Sequence, residues 1–120
     1  MFQGPKDTFE TLLEWTYHLV AKEDFPMPAE SYTPQAFSKD GFVHTTRRRE
    51  HLHEVANRYY RRDLRPYWVL TIDLKAFDGP WRYDLPNDEY PHLYAPIPAR
   101  AIVHVEEAPR TTDGEFLPLQ

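Results

Sequence analysis

The sequence predicts an α+β domain: a split, mostly antiparallel β-sheet of about six short strands with one main helix. Three observations lead there. Apolar residues alternate in several short runs, the mark of half-buried strands. Only one stretch repeats them at helical spacing, and a single helix cannot cover a parallel sheet. Twelve prolines cut the chain into short elements joined by rigid turns.

Met1 to Thr11 reads as a lead-in, broken by Gly4-Pro5. Trp15–Val20 reads as the first strand, with Trp15, Tyr17 and Leu19 on one face and Thr16, His18 and Val20 on the other. Between Ala21 and Phe37, the prolines Pro26, Pro28 and Pro34 leave room only for short helical turns. Asp40-Gly41 is a turn signal leading into a short strand, Phe42-Val43-His44. Thr46 is placed to cap a helix from about Arg47 to Tyr60, where Leu52, Val55, Ala56, Tyr59 and Tyr60 recur at helical spacing. Tyr67–Leu74 is the strongest strand, with Trp68, Leu70, Ile72 and Leu74 alternating with Val69, Thr71 and Asp73. Asp78-Gly79 turns the chain into a strand Trp81–Leu85, which Pro86-Asn87-Asp88 ends. His92–Tyr94 is short and extended, and Pro98 precedes a last strand, Ala101–Glu106. Phe116 and Leu117 are placed to add an edge strand.

The length of 120 residues suits one domain over residues 1–120, large enough to bury a core without staples. Without cysteine, disulfides and thiolate chemistry are excluded. No apolar stretch approaches the ~18–20 residues of a membrane span, and no secretory leader is evident. The expectation is a cytoplasmic protein with no membrane partner.

The net charge of −5 hides an asymmetry. Between Arg47 and Arg65, seven arginines face Glu50, Glu54 and Asp63, a local charge of +4. One reading is a solvated helix with a basic face. The sharper one is an electropositive wall beside a phosphate site, since the planar guanidinium fork suits phosphate. The acidity of the whole chain gives no indication of sequence-specific nucleic-acid binding.

Three histidines sit in aromatic or apolar cassettes: Tyr17-His18-Leu19, Phe42-Val43-His44-Thr45-Thr46 and Tyr90-Pro91-His92-Leu93-Tyr94. A polar ring in such a setting must find a partner or cost free energy. His18, His44 and His92 are therefore the candidate catalytic residues of one convergent site. His18 either orients a ligand hydroxyl or phosphate, or donates to a backbone carbonyl and packs. Thr45, Thr46, Arg47 and Arg48 follow His44 at an expected strand-to-helix junction, where free N–H groups favour anions. Tyr17 and Tyr94 offer rings for stacking. Asp84, Asp88 and Glu89 are the nearby carboxylates, Glu89 being placed to act as acid or base. His51 and His53 read as surface residues, and His104 has no assigned role. No pair of histidines shows metal-ligand spacing, so no metal is assigned, and neither Ser31 nor Ser38 lies in a nucleophile motif.

These cassettes share their order with Val55-Ala56-Asn57-Arg58-Tyr59-Tyr60, Arg82-Tyr83-Asp84 and Pro91-His92-Leu93-Tyr94-Ala95-Pro96-Ile97. Together they resemble the small bacterial family called domain of unknown function 952, over a core of about residues 15–105. Asp84 stands where that family usually has glutamate, and Ala95 where it has glycine; Ala95 implies a backbone with no need of positive φ. The resemblance implies a compact ADP-ribosyltransferase-like fold around a nicotinamide-dinucleotide cleft, with NAD as the implied cofactor. It places His18 at the first-strand histidine that meets the nicotinamide-side ribose. It departs from the protein-modifying enzymes, since Leu19 and Val20 follow that histidine and only Glu89 stands near the place of a catalytic glutamate. It agrees better with RNA 2′-phosphotransferases, which work with histidine and arginine. The expected function is thus a histidine-lined nucleotide or phosphate pocket, in an NAD-linked or 2′-phosphotransferase-like enzyme. The alternative is a binding module for a small molecule or protein, without turnover.

Overall fold

The computed structural model describes residues 14–26 and 30–119. The lead-in expected before Thr11, and Pro28, lie outside them. Eight short strands run in chain order: β1 (Trp15–Ala21), β2 (Ser31–Tyr32), β3 (Val43–His44), β4 (Tyr67–Asp73), β5 (Trp81–Tyr83), β6 (Pro91–Leu93), β7 (Ile97–Pro98) and β8 (Ile102–Glu107). Helix α1 (Phe37–Asp40) is a single turn, and α2 (Leu52–Tyr60) is the main helix. The strands form three small antiparallel sheets, ordered β1-β4-β8, β2-β7 and β3-β6-β5. The α+β class and antiparallel pairing agree with the sequence, but the division is into three sheets. Strands β2 and β7 are two residues each, too short to show any alternation.

The sheet β1-β4-β8 divides the interior into two layers. Strand β1 runs against β4 from Trp15↔Asp73 to Ala21↔Tyr67. Because side chains alternate, each strand feeds both layers. Val20, Leu70 and Ile72 point into one core, with Val43, Leu93, Ile97, Tyr32 and Phe25. Tyr17, Leu19, Ala21, Tyr67 and Val69 point into the other, with Leu52 and Ala56 of α2 and Phe116 of the tail. Leu70 and Ile72 are fully buried, and burying such a side chain is worth about 1.5–3 kcal/mol.

The main helix starts later than the spacing predicts. A 3₁₀ turn at Arg49–His51 precedes it, and no side chain caps either element. Thr46 is not a cap. Its backbone exchanges hydrogen bonds with Tyr17, N to O at 2.8 Å in both directions, so the chain is still extended there. Tertiary pairing with β1 overrides a good local capping signal. Strand β5 also stops at Tyr83, so Leu85 lies in the following turn and is exposed. At Gly41, φ is +81°, which ends α1 and aims the chain into β3. Ala95 has no positive φ, in line with its identity.

The tail adds one isolated bridge, Arg110↔Phe116, rather than a strand. Polar clasps hold it. Asn57 on α2 donates to the Phe116 carbonyl at 3.0 Å and accepts from its N–H at 2.7 Å. The Arg110 guanidinium donates to the carbonyls of Arg65, Arg61 and Tyr60 near the end of α2, and lies 3.9 Å over the Phe116 ring. Asn57→Ala removes the partners of both the Phe116 N–H and the Phe116 carbonyl, each half-buried. A loss of about 1–3 kcal/mol is expected, read as a lower urea midpoint with faster amide exchange at Phe116. Wild-type exchange at that amide in the variant would show that the clasp carries no load.

Candidate functional site

The sheet β3-β6-β5 has an inner and an outer face. Val43 pairs with Leu93, and Leu93 with Trp81; these three belong to the core. One residue along, His44 pairs with His92, and His92 with Arg82. With a side-chain period of two, those residues stand together on the opposite face. The alternation that buries Val43 and Leu93 thus puts two imidazoles and a guanidinium in one row toward solvent.

Carboxylates orient both imidazoles. His92 Nδ1 lies 2.7 Å from Asp84 Oδ2, and His44 Nε2 lies 2.9 Å from Asp40 Oδ2. An ionised carboxylate only accepts, so these nitrogens carry hydrogen. The nitrogens left for other work are Nε2 of His92 and Nδ1 of His44. The ring centroids are 5.6 Å apart with the planes at 68°. Phe42 lies nearly flat on His92, at 4.0 Å and 18°. The His92 side chain is 13 % exposed and that of His44 is 58 % exposed. One ring is held and the other reaches into water.

Asp84 is the hub. Its carboxylate accepts from the Tyr94 hydroxyl, from Arg82 Nε at 2.6 Å and from His92. Those bonds, Tyr94's first, hold its carboxyl well below the usual carboxylate range. The same bond raises the Tyr94 phenol, which therefore stays a donor. The Arg82 guanidinium also lies 4.4 Å over the Tyr94 ring.

His18 is elsewhere. It is buried in β1, with Nδ1 2.8 Å from the His44 carbonyl and Nε2 3.2 Å from the Tyr32 hydroxyl. The carbonyl can only accept, so Nδ1 carries the hydrogen and Tyr32 donates to Nε2. Both ring nitrogens are used. Three imidazoles around one hollow is therefore corrected to an outward-facing pair with a buried third beneath it. Burial also pushes the His18 pKa down to about 4.

The other expected ligand contacts are similarly engaged. Thr45 is buried; it accepts from Thr16 Oγ1 at 2.7 Å and donates to the Pro91 carbonyl at 2.6 Å. Thr46 is buried on Tyr17, which is itself buried in the second core. The His-Thr-Thr run is not at a helix N-terminus, because α2 begins at Leu52. Arg47 Nη1 donates to Asp88 at 2.7 Å, and Arg48 Nη1 to Glu89 at 2.8 Å. Arg49 is forked onto Glu106, and Arg65 onto Asp63. The run of arginines is thus largely matched by carboxylates. Glu89 also meets His51 Nδ1 at 2.9 Å, and the His51 side chain stays at the surface, 42 % exposed. His53 is half-buried, its Nδ1 without a partner among the described residues. His104 lies exposed on the edge strand β8.

Sequence reasoning missed Asp40, Phe42 and Arg82 as site members, and gave Asp84 no part beyond proximity. Only the strand register puts them beside the two histidines. Among the described residues no three His, Asp or Glu side chains are grouped to hold a metal ion, and no helix is long and apolar enough to cross a membrane. A recess of about 470 Å³ opens beside Leu64, Pro66, Arg110 and Gly114, and none of the histidines lines it.

The family described as "Protein of unknown function (DUF952)" matches residues 20–105. The fold is similar to that of protein CC0527 from Caulobacter crescentus. The crystal structure of that protein superposes with a TM-score of 0.65 at 17 % identity, covering 86 % of this chain and 93 % of that one. A crystal structure of a double mutant gives 0.66 at 17 %, with the same coverage. The solution structure gives 0.63 at 19 %, covering 84 % and 90 %. At these identities the likeness is one of fold alone. No curated protein matches the chain.

The buried His18 makes stability depend on pH. Its folded pKa lies below the unfolded value of about 6.5, so between about 4 and 6.5 the unfolded chain binds more protons. Its contribution is complete above that window and is lost as pH falls through it. In urea unfolding at pH 7.0 and 4.5, the wild type should lose about 2–3 kcal/mol more than His18→Gln. Equal losses in the two proteins would show that His18 titrates normally.

Proposed function

This chain belongs to the DUF952 family; as that family is described only as one of unknown function, we propose from the chain's own residues that the outer face of β3-β6-β5 binds a phosphorylated nucleotide. The observation that carries the reading is the direct pairing of His44 with His92, each tethered by a carboxylate and each with one ring nitrogen turned to other use. Nothing in the packing asks for two polar rings and a guanidinium in one row. They pay no core debt, since Val43 and Leu93 beside them already fill it. The Arg82 guanidinium supplies charge for a phosphate, and the imidazoles supply hydrogen-bonding nitrogens beside it. Phe42 and Tyr94 supply aromatic surface beside it for a base or nicotinamide.

The antiparallel architecture and the histidine–arginine row support NAD and 2′-phosphorylated nucleotides as the first ligands to test. Within the expected site, His44, His92 and Tyr94 keep contact roles, and Arg82 takes the phosphate role expected of Arg47 and Arg48. His18 becomes a positioning residue, acting through the His44 backbone. The protein is proposed as one cytoplasmic domain with a small-molecule partner.

Melting curves with NAD, ADP-ribose and adenosine 2′- or 3′-phosphate at millimolar concentration test this. At ten times Kd a ligand adds about 1.4 kcal/mol, a rise of roughly 3–6 °C for a domain of this size. At least one of them should raise Tm, and His92→Gln should remove the rise. No shift with any of the four overturns the reading. A shift that survives both His92→Gln and Arg82→Ala moves the ligand to another surface.

A further inference from the structure

We propose that His44 and His92 form an acid–base pair that hydrolyses a five-membered cyclic phosphodiester, of the 2′,3′-cyclic nucleotide class. This rests on the nucleotide-binding reading above and assigns its chemistry.

The two imidazoles differ in ways that divide the roles. His92 is held by Asp84 on Nδ1 and by Phe42 on its ring face. Asp84 is in turn fixed by Arg82 and Tyr94. Such a carboxylate keeps one tautomer and leaves the Nε2 lone pair as a base, as in any carboxylate–histidine dyad. His44 projects into water from the edge strand, with Asp40 on Nε2 and Nδ1 available to carry a proton. With centroids 5.6 Å apart and planes at 68°, the rings meet edge to face, so one phosphate resting on this face reaches both.

The cluster contains no serine or cysteine to form a covalent intermediate. An acid and a base are what it offers, and ring strain makes a five-membered cyclic phosphate the diester most responsive to that pair. Water attacks phosphorus as His92 Nε2 takes its proton. The bond from phosphorus to one ribose oxygen breaks, and that oxygen takes the proton from His44 Nδ1. Water adds across one P–O bond, the product is a ribose phosphate monoester, and solvent returns both imidazoles to their starting states. Arg82 faces the charge that grows on the phosphoryl oxygens.

The test uses the full chain in EDTA with adenosine 2′,3′-cyclic phosphate, following ³¹P NMR for the monoester. Binding of adenosine 3′-phosphate is measured in parallel through the histidine ring proton shifts. Turnover is expected, with a bell-shaped dependence of kcat/KM on pH, since one imidazole must be neutral and the other charged. Asp40, Asp84, Arg82 and Tyr94 are the ionisable groups that face the pair among the described residues. His44→Gln and His92→Gln should each lower kcat/KM by about 10²–10⁴-fold, with circular dichroism unchanged. The limb steepened at high pH should vanish in His44→Gln and the low-pH limb in His92→Gln, a separation that a merely structural role does not produce. Product binding without turnover overturns the acid–base assignment and leaves the nucleotide site standing. Absence of both overturns the two together. Turnover that survives either glutamine variant within a factor of three overturns the pairing.

Discussion

One partly buried hydrogen bond joins the structural half of this protein to its outward-facing half. His18, on the strand that divides the two cores, donates to the backbone carbonyl of His44. Two residues on, Tyr17 and Thr46 exchange backbone bonds. Between them Thr16 donates to Thr45, and Thr45 to the Pro91 carbonyl. Strand β3 has only two residues and β6 only three, and so small a sheet has little stability alone. The buried polar chain from β1 supplies what the short ladders lack. Each of its groups is satisfied, which is the condition under which a buried network holds one arrangement rather than several.

That junction explains why a buried histidine with a depressed pKa lies beneath the proposed chemistry rather than in it. A neutral imidazole both donates and accepts, so His18 can serve the His44 carbonyl and the Tyr32 hydroxyl at once. Its cost appears only when acid charges it. The outward pair is built on the opposite plan. His44 and His92 each use one nitrogen on a carboxylate and keep the other. Asp84 gathers Tyr94, Arg82 and His92 on one carboxylate, and so ties three residues of the β5–β6 region into a single orientation. Preorganised groups of this kind suit a ligand whose charge must be met without rearrangement.

The arginines teach a related lesson. Seven within one segment leave open a solvated basic face or a phosphate wall, and Arg47, Arg48, Arg49 and Arg65 spend their charge on Asp88, Glu89, Glu106 and Asp63. Asp88, Glu89 and Glu106 come from distant parts of the chain, so a local count that held only Asp63 of these acids overstated the field. The guanidinium that joins the histidine row, Arg82, stands in a run whose composition is unremarked. Its importance comes from sharing a register position with His92.

Reading residues in order was enough to show the α+β class, the antiparallel pairing, and the course of β1, β4 and β8, and to single out His44 and His92 as polar rings in apolar settings. Those features rest on alternation and on polar rings in apolar settings, both of which are local. What lay beyond reach were contacts between residues far apart in sequence. Thr46 has a good capping side chain but pairs with β1 instead. Ser31–Tyr32 and Ile97–Pro98 are strands only because they meet each other. His18 and His44 look alike in their cassettes; which is sealed inside and which faces water depends on the face of the sheet that the rest of the molecule covers. Packing settles that, because a side chain's period fixes its neighbours along the strand while burial of the whole face is decided by elements that arrive from elsewhere.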